Sequence, residues 1–270
     1  RGAFYWALEG RVVGFALLPR LMKVVQKIAV RHLHKQVARP SLRKVLRPDY
    51  TIGCKRVLIS NDYYPALSRS NVEVVTDAVL RIEADGVVTA DGIKHPADCL
   101  IFGTGFQATD PLPRDCIIGR GGIDLMEAWR DGAHAYKGTT VPGYPNLFLI
   151  VGPNTGLGHN SMILMIEAQV TYILDALQQM RRQQIATVEV KPAVESAYNQ
   201  QIQAKLQRTI WNTGGCRSWY LDPRTGKNTT LWPGSTWRFK QVTRHFALRD
   251  YQVTPLLTGA TPRPVAPPHA

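Results

Sequence analysis

Asp98-Cys-Leu-Ile-Phe-Gly-Thr-Gly-Phe-Gln107 is the stretch that decides the fold. Leu100, Ile101 and Phe102 form a short apolar run, long enough for a buried strand, and Gly103-Thr104-Gly105 follows at once. Two glycines at a strand end let the backbone approach something bulky and flat, with no Cβ in the way. The spelling Gly103-x-Gly105-x-x-Ala108 matches a dinucleotide fingerprint, but that fingerprint needs a helix to open at its glycines. Here Pro111 and Pro113 fall where the helix would run, and proline breaks a helix interior. The expectation is a buried strand, a tight glycine turn and then irregular chain.

Working outward, three segments carry a family resemblance. Asp98-x-x-Ile101-x-x-Thr104-Gly105-Phe106 resembles the D-x-x-I-x-A-T-G-F segment of flavin-containing and Baeyer–Villiger monooxygenases, with Gly103 where alanine is usual. Pro48-Asp-Tyr-Thr-Ile-Gly-Cys-Lys-Arg56 resembles their P-x-Y-P-x-G-C-K-R, with Thr51 replacing the second proline. Gly143-Tyr-Pro-Asn-Leu-Phe148 and Gly152-Pro-Asn154 resemble their G-x-P-N-L-F and G-P-N. The three occur in the family's order.

The resemblance implies an α/β fold: the C-terminal portion of a flavoprotein with two dinucleotide-binding domains, carrying a β-meander and an N-terminal basic helical segment. It implies FAD and NADPH as cofactors, and O2 and a small molecule as substrates. A C4a-(hydro)peroxyflavin would oxygenate a ketone or a soft nitrogen or sulfur nucleophile. The glycine motifs for FAD and NADPH, and the family's active-site arginine, are expected upstream of Arg1. Thr104, Gly105 and Phe106 would lie along FAD, and Pro153 and Asn154 near its isoalloxazine ring. Trp219, in Ser218-Trp-Tyr220, resembles a tryptophan placed near NADP and substrate, although burial of an aromatic explains it equally well. No residue of this chain is assigned as catalytic. The alternatives are an amine N-hydroxylase-type flavoprotein and a non-catalytic basic module for nucleic acid or anionic membrane.

Composition bounds these readings. With 270 residues, 44% hydrophobic and 20% charged, the chain has the make-up of an ordinary globular protein with a sizeable core. Cys54, Cys99, Cys116 and Cys216 are scattered without a C-x-x-C pair, which argues against a zinc or dithiol site and suggests reduced thiols in a cytoplasmic protein. No metal is expected. No apolar run is long enough to span a bilayer. Residues 1–60 hold thirteen Lys/Arg against two acids, a net of +11 out of the chain's +13. Such a block suits phosphate, anionic lipid or nucleic acid. No nucleic-acid motif accompanies it, so nucleic acid is not expected, and a peripheral membrane contact through residues 1–47 stays as the sharper alternative to a basic helical hairpin packed on a further part of a longer protein.

In chain order, apolar spacing predicts two amphipathic helices over residues 4–37 with Pro19 near the break, then a short helix at 42–46. Residues 56–60, 71–75, 79–82, 86–89 and 93 read as strands, with Asp85-Gly86 and Asp91-Gly92 as hairpin turns. A short helix near 125–130, a strand at 147–151, a long helix at 161–181, a strand at 187–190 and a helix at 193–211 follow. The units expected are a basic helical segment (1–50), the end of an NADP-binding domain with the meander (51–97), the C-terminal part of an FAD-binding domain (98–253) and a disordered tail (254–270). The loop 152–160 opening the long helix offers backbone N–H groups to an anionic flavin. His159 in that loop reads either as a proton donor or as a hydrogen-bonded loop residue.

Overall fold

The structure is a computed structural model that describes residues 2–105 and 112–256. Its helical N-terminus runs as α1 (Gly2–Val12), a π-helical turn (Val13–Leu17), a 3-10 turn (Pro19–Leu21), α2 (Met22–Gln36) and α3 (Pro40–Leu46). Pro19 opens the 3-10 turn, because its fixed φ and missing N–H suit a first helical position. A short α4 (Tyr63–Leu67) leads to a meander of β1 (Val79–Glu83), β2 (Gly86–Thr89) and β3 (Lys94–Pro96). Both pairings are antiparallel; the second hairpin turns through Asp91-Gly92, whereas the first turns on Ala84-Asp85 and takes Gly86 into β2 opposite Glu83. Gly92 takes φ +84°, the left-handed value that glycine tolerates.

The second half holds α5 (Leu125–Ala128), α6 (Met162–Arg182), β4 (Ile185–Val190), α7 (Pro192–Leu206), α8 (Ile210–Thr213), α9 (Thr236–Val242) and β5 (Tyr251–Pro255). The helix expected over 193–211 is thus two, broken after Leu206. β4 and β5 pair antiparallel and lay Ile185, Val188, Val190 and Tyr251 against Tyr172 and Ala176 of α6. A larger core joins Val12 and Phe15 to Met165, Leu206, Trp211, Leu231 and Phe239. The basic helical segment therefore shares a core with the C-terminal half. Its distal part closes separately, through Leu33, Val37 and Leu42.

Several expectations are corrected. Residues 56–60, 71–75, 100–102 and 147–151 do not form strands. The run at the centre of the sequence reading is exposed, Ile101 by 93% and Phe102 by 70%. A strand needs a neighbouring strand for its N–H and C=O groups, and none of these runs pairs with one among the described residues, although Leu149 N bonds Thr139 O at 2.8 Å. Thr254 and Pro255, expected in a disordered tail, belong to β5; residues 257–270 lie outside the described residues. Cys54 and Cys216 are joined in a disulfide across a separation of 162 residues, so only Cys99 and Cys116 are free thiols, both exposed. Sequence spacing missed the bridge because the fold, not the motif, brings the two loops together.

Candidate functional site

The loop from Gly152 to Asn160 is held from three sides. Val151 and Asn154 sit at φ +58° and +56°, a region costly for a β-branched valine. Gln169 of α6 stabilises this path: its Oε1 accepts from Val151 N at 3.0 Å. Its Nε2 donates to Gly138 O (2.8 Å), Thr139 Oγ1 (3.1 Å) and Leu149 O (3.2 Å). On the other side, Gly156 N donates to Thr230 O, and Trp232 N donates to Gly156 O, each at 2.8 Å. A Cβ at Gly156 would lie 2.8 Å from Thr230 O, so this position requires glycine. Ser161 then caps α6, its hydroxyl accepting from Ile163 N.

Beside this loop lies a cavity of about 420 Å³. It is lined by Ile150, Gly152, Pro153 and Leu157, by Trp129, Met162 and Leu231, and by Trp219, Tyr220 and Arg56. Among the described residues Arg56 is the one formally charged side chain lining it, and it also borders a second cavity of about 190 Å³ against α2. Two links bring the 48–56 segment to the Trp219 segment: the Cys54–Cys216 disulfide and a bond from Thr51 N to Gly214 O of 2.9 Å. Trp219 is 55% exposed and its ring lies 4.6 Å from that of Tyr220.

The residues singled out in the sequence separate. Pro153 and Trp219 line the cavity. Asn154 is buried beneath it, its Nδ2 donating to Asn228 O (2.7 Å) and Leu231 O (3.1 Å). Thr104 and Gly105 lie in the exposed 98–105 segment, away from the cavity lining. A Cβ at Gly105, where φ is +85°, would meet nothing within 4 Å. Phe106 falls outside the described residues. His159 is buried, with neither ring nitrogen hydrogen-bonded among the described residues. Its Nε2 lies 3.7 Å from Glu9 Oε1, and burial pulls its pKa down against the opposing pull of Glu9. It does not line the cavity. Among the described residues no cluster of His, Cys, Asp or Glu could hold a metal. Arg56, which the sequence reading passed over, was signalled by its place in Gly53-Cys-Lys-Arg56.

No protein-family model matches the chain. It is 53% identical over 254 residues to a Baeyer–Villiger monooxygenase of Pseudomonas aeruginosa, covering 94% of this chain and 48% of that protein. A Baeyer–Villiger monooxygenase of Streptomyces coelicolor is 43% identical over 254 residues, covering 94% and 49%. Among solved structures, a closed cyclohexanone monooxygenase superposes with TM-score 0.78 at 26% identity, over 86% of this chain and 45% of that one. The chain belongs to the Baeyer–Villiger and flavin-containing monooxygenase family. Oxidized steroid monooxygenase bound to NADP shares the fold, with TM-score 0.78 over 90% of this chain and 47% of that one, at 24% identity. The chain spans about half the length of the curated Baeyer–Villiger relatives it matches. All three segments of the sequence reading fall within this family's span: one lines the cavity with Arg56, one with Pro153, and one is the exposed 98–105 run.

Proposed function

We propose that this chain forms one wall of the oxygenating site of an FAD- and NADPH-dependent monooxygenase acting on a ketone or a soft nitrogen or sulfur nucleophile. The observation that carries the reading is the cavity in which the glycine loop, Trp219 and Arg56 meet. It fits a flavin by its chemistry: a largely apolar lining that includes Pro153, Leu157 and Trp219 and, among the described residues, a single cation. Gly152, Pro153 and Leu157 would seat the ring, and Trp219 would border the nicotinamide or the substrate. The described residues contain no βαβ glycine turn for a pyrophosphate, so the dinucleotide ends would be held by a further part of a longer protein, with the 98–105 segment alongside. When bound, FAD reduced by NADPH supplies the oxygen-transfer chemistry.

In this reading Arg56 takes the part of the arginine expected upstream of Arg1. Its guanidinium would stabilise negative charge developing at the reacting oxygen, a role in which a fixed donor set is worth more than a mobile one. The apolar wall of Ile150, Leu157 and Leu231 would keep water from that oxygen. His159 would contribute no proton, because a neutral imidazole outside the cavity has no path to the substrate.

The test is Arg56→Ala and Arg56→Lys in the full-length enzyme. Both should keep the visible flavin band and be reduced by NADPH. Oxygenated product should fall by about 10²–10³-fold, with NADPH oxidation diverted to peroxide. Product formation by Arg56→Ala at the wild-type rate would refute the assignment. A panel of ketone, sulfide and amine acceptors then separates the Baeyer–Villiger reading from the N-hydroxylase one.

A further inference from the structure

Helix α2 has three distinct faces. Met22, Gln26, Ala29, Val30 and Leu33 face the protein. Leu21, in the turn just before it, and Val24, Val25 and Ile28 recur at i, i+3, i+4 and i+7, the spacing of one helical stripe. Yet they are 41 to 60% exposed. Lys23, Lys27 and Arg31 make a third stripe, with Arg20 in line before them. At about 100° per residue, the three stripes stand roughly a third of a turn apart. A solvated helix would not place an apolar stripe beside a basic one on its open side. Leu17 and Leu18, in the turn before α2, and Phe4 and Trp6 of α1 are exposed as well. Between Glu9 and Asp49 there is no acidic residue, against ten Lys/Arg.

We infer that this face of α2 lies on an anionic lipid surface. The apolar stripe would enter the boundary between headgroups and acyl chains. The neighbouring Lys and Arg stems would extend along it, with their charges at the lipid phosphates. The arrangement fits a helix lying in the surface plane: among the described residues no helix is long and apolar enough to cross a membrane. Charge complementarity favours this occupant over a second copy of the chain, which would bring a second acid-free basic segment against the first and be repelled. The inference stands on α2 alone and is independent of the cofactor assignment.

The experiment uses the full-length, flavin-loaded protein in sedimentation with phosphatidylcholine vesicles, with and without phosphatidylglycerol. Wild type should pellet with the anionic vesicles, stay in solution with the neutral ones, and be released by salt. Val24→Asp/Ile28→Asp should lose binding by removing the stripe. Lys23→Glu/Lys27→Glu should lower partitioning by roughly tenfold or more, since each basic residue near such a surface is worth about a fivefold factor. None of the four residues lines the cavity assigned to the flavin, so the flavin band and NADPH oxidation in buffer should stay at wild-type levels. Three results would overturn the inference. One is wild type that ignores anionic vesicles; another is variants that bind as wild type does. The third is a wild-type dimer that Val24→Asp/Ile28→Asp dissolves, since the stripe would then be a protein interface.

Discussion

Gln169 shows how much of the site rests on one side chain. It is fully buried, and its amide ties α6 to Gly138, Thr139, Leu149 and Val151 through four hydrogen bonds. Gln169→Leu keeps roughly the volume but takes the amide partner from Gly138 O and Leu149 O, at about 1–3 kcal/mol for each that finds no water. We expect the full-length variant to lose about 3 kcal/mol in urea denaturation and to retain less flavin after gel filtration. A variant with wild-type stability and flavin content would show that the loop holds its path without this residue. The sequence did not mark Gln169. The apolar period of the helix runs over Met162, Leu164, Met165, Ala168, Tyr172, Ile173, Ala176 and Leu177; Met165, Ala168, Tyr172 and Ala176 are buried, Met162, Leu164 and Ile173 are half-buried, and Leu177 is 49% exposed. An apolar period cannot reveal a buried polar residue, because its partners come from loops far away in sequence.

Between elements, local chemistry was readable where a pairing is local and unreadable where it is not. The Asp-Gly hairpins, the proline break before α2 and the extent of α6 followed from neighbours in the chain. The disulfide between Cys54 and Cys216, and with it the placing of Arg56 beside Trp219, did not. A second long-range tie gives a pH dependence. His134, in the loop after α5, contacts Glu195 in the first turn of α7, Nδ1 to Oε1 at 2.6 Å. Its pKa is raised, chiefly by that hydrogen bond and against the effect of burial. A raised folded-state pKa contributes stability that is fully present below the ordinary histidine value, near 6.5, and is lost as pH rises through the higher folded value. Wild type should therefore lose thermal stability across that interval relative to His134→Gln, whose melting temperature should be flatter there. Parallel curves for the two proteins would rule the pair out as the titrating element.

At the scale of the molecule, the exposed apolar runs carry the argument. Leu58 and Ile59 are 82% and 85% exposed, and the Ile101–Phe102 run is as open. Both segments have the composition of buried strands, and both lie within stretches shared with the family. The sequence reading took both runs for strands, and the structure leaves them exposed and unpaired. It could not show that the strands needed to pair with them are absent among the described residues. An unpaired apolar segment offers free N–H and C=O groups as well as greasy surface, and so promotes association. On the proposed reading flavin affinity would suffer in parallel, because the described residues would offer one wall to the ring and no glycine turn to the pyrophosphate. The 270-residue chain expressed alone should therefore be nearly colourless after purification with added FAD, bind a hydrophobic dye strongly, and aggregate at micromolar concentration. It should show no substrate-dependent NADPH oxidation. Co-expression with the half of a relative such as the Pseudomonas aeruginosa enzyme that this chain does not match should quench dye binding and bring in flavin together, since one pairing event would cover the runs and close the proposed site. A monomeric, stoichiometrically flavin-loaded chain obtained without that half would mean that these 270 residues rearrange to complete the site themselves.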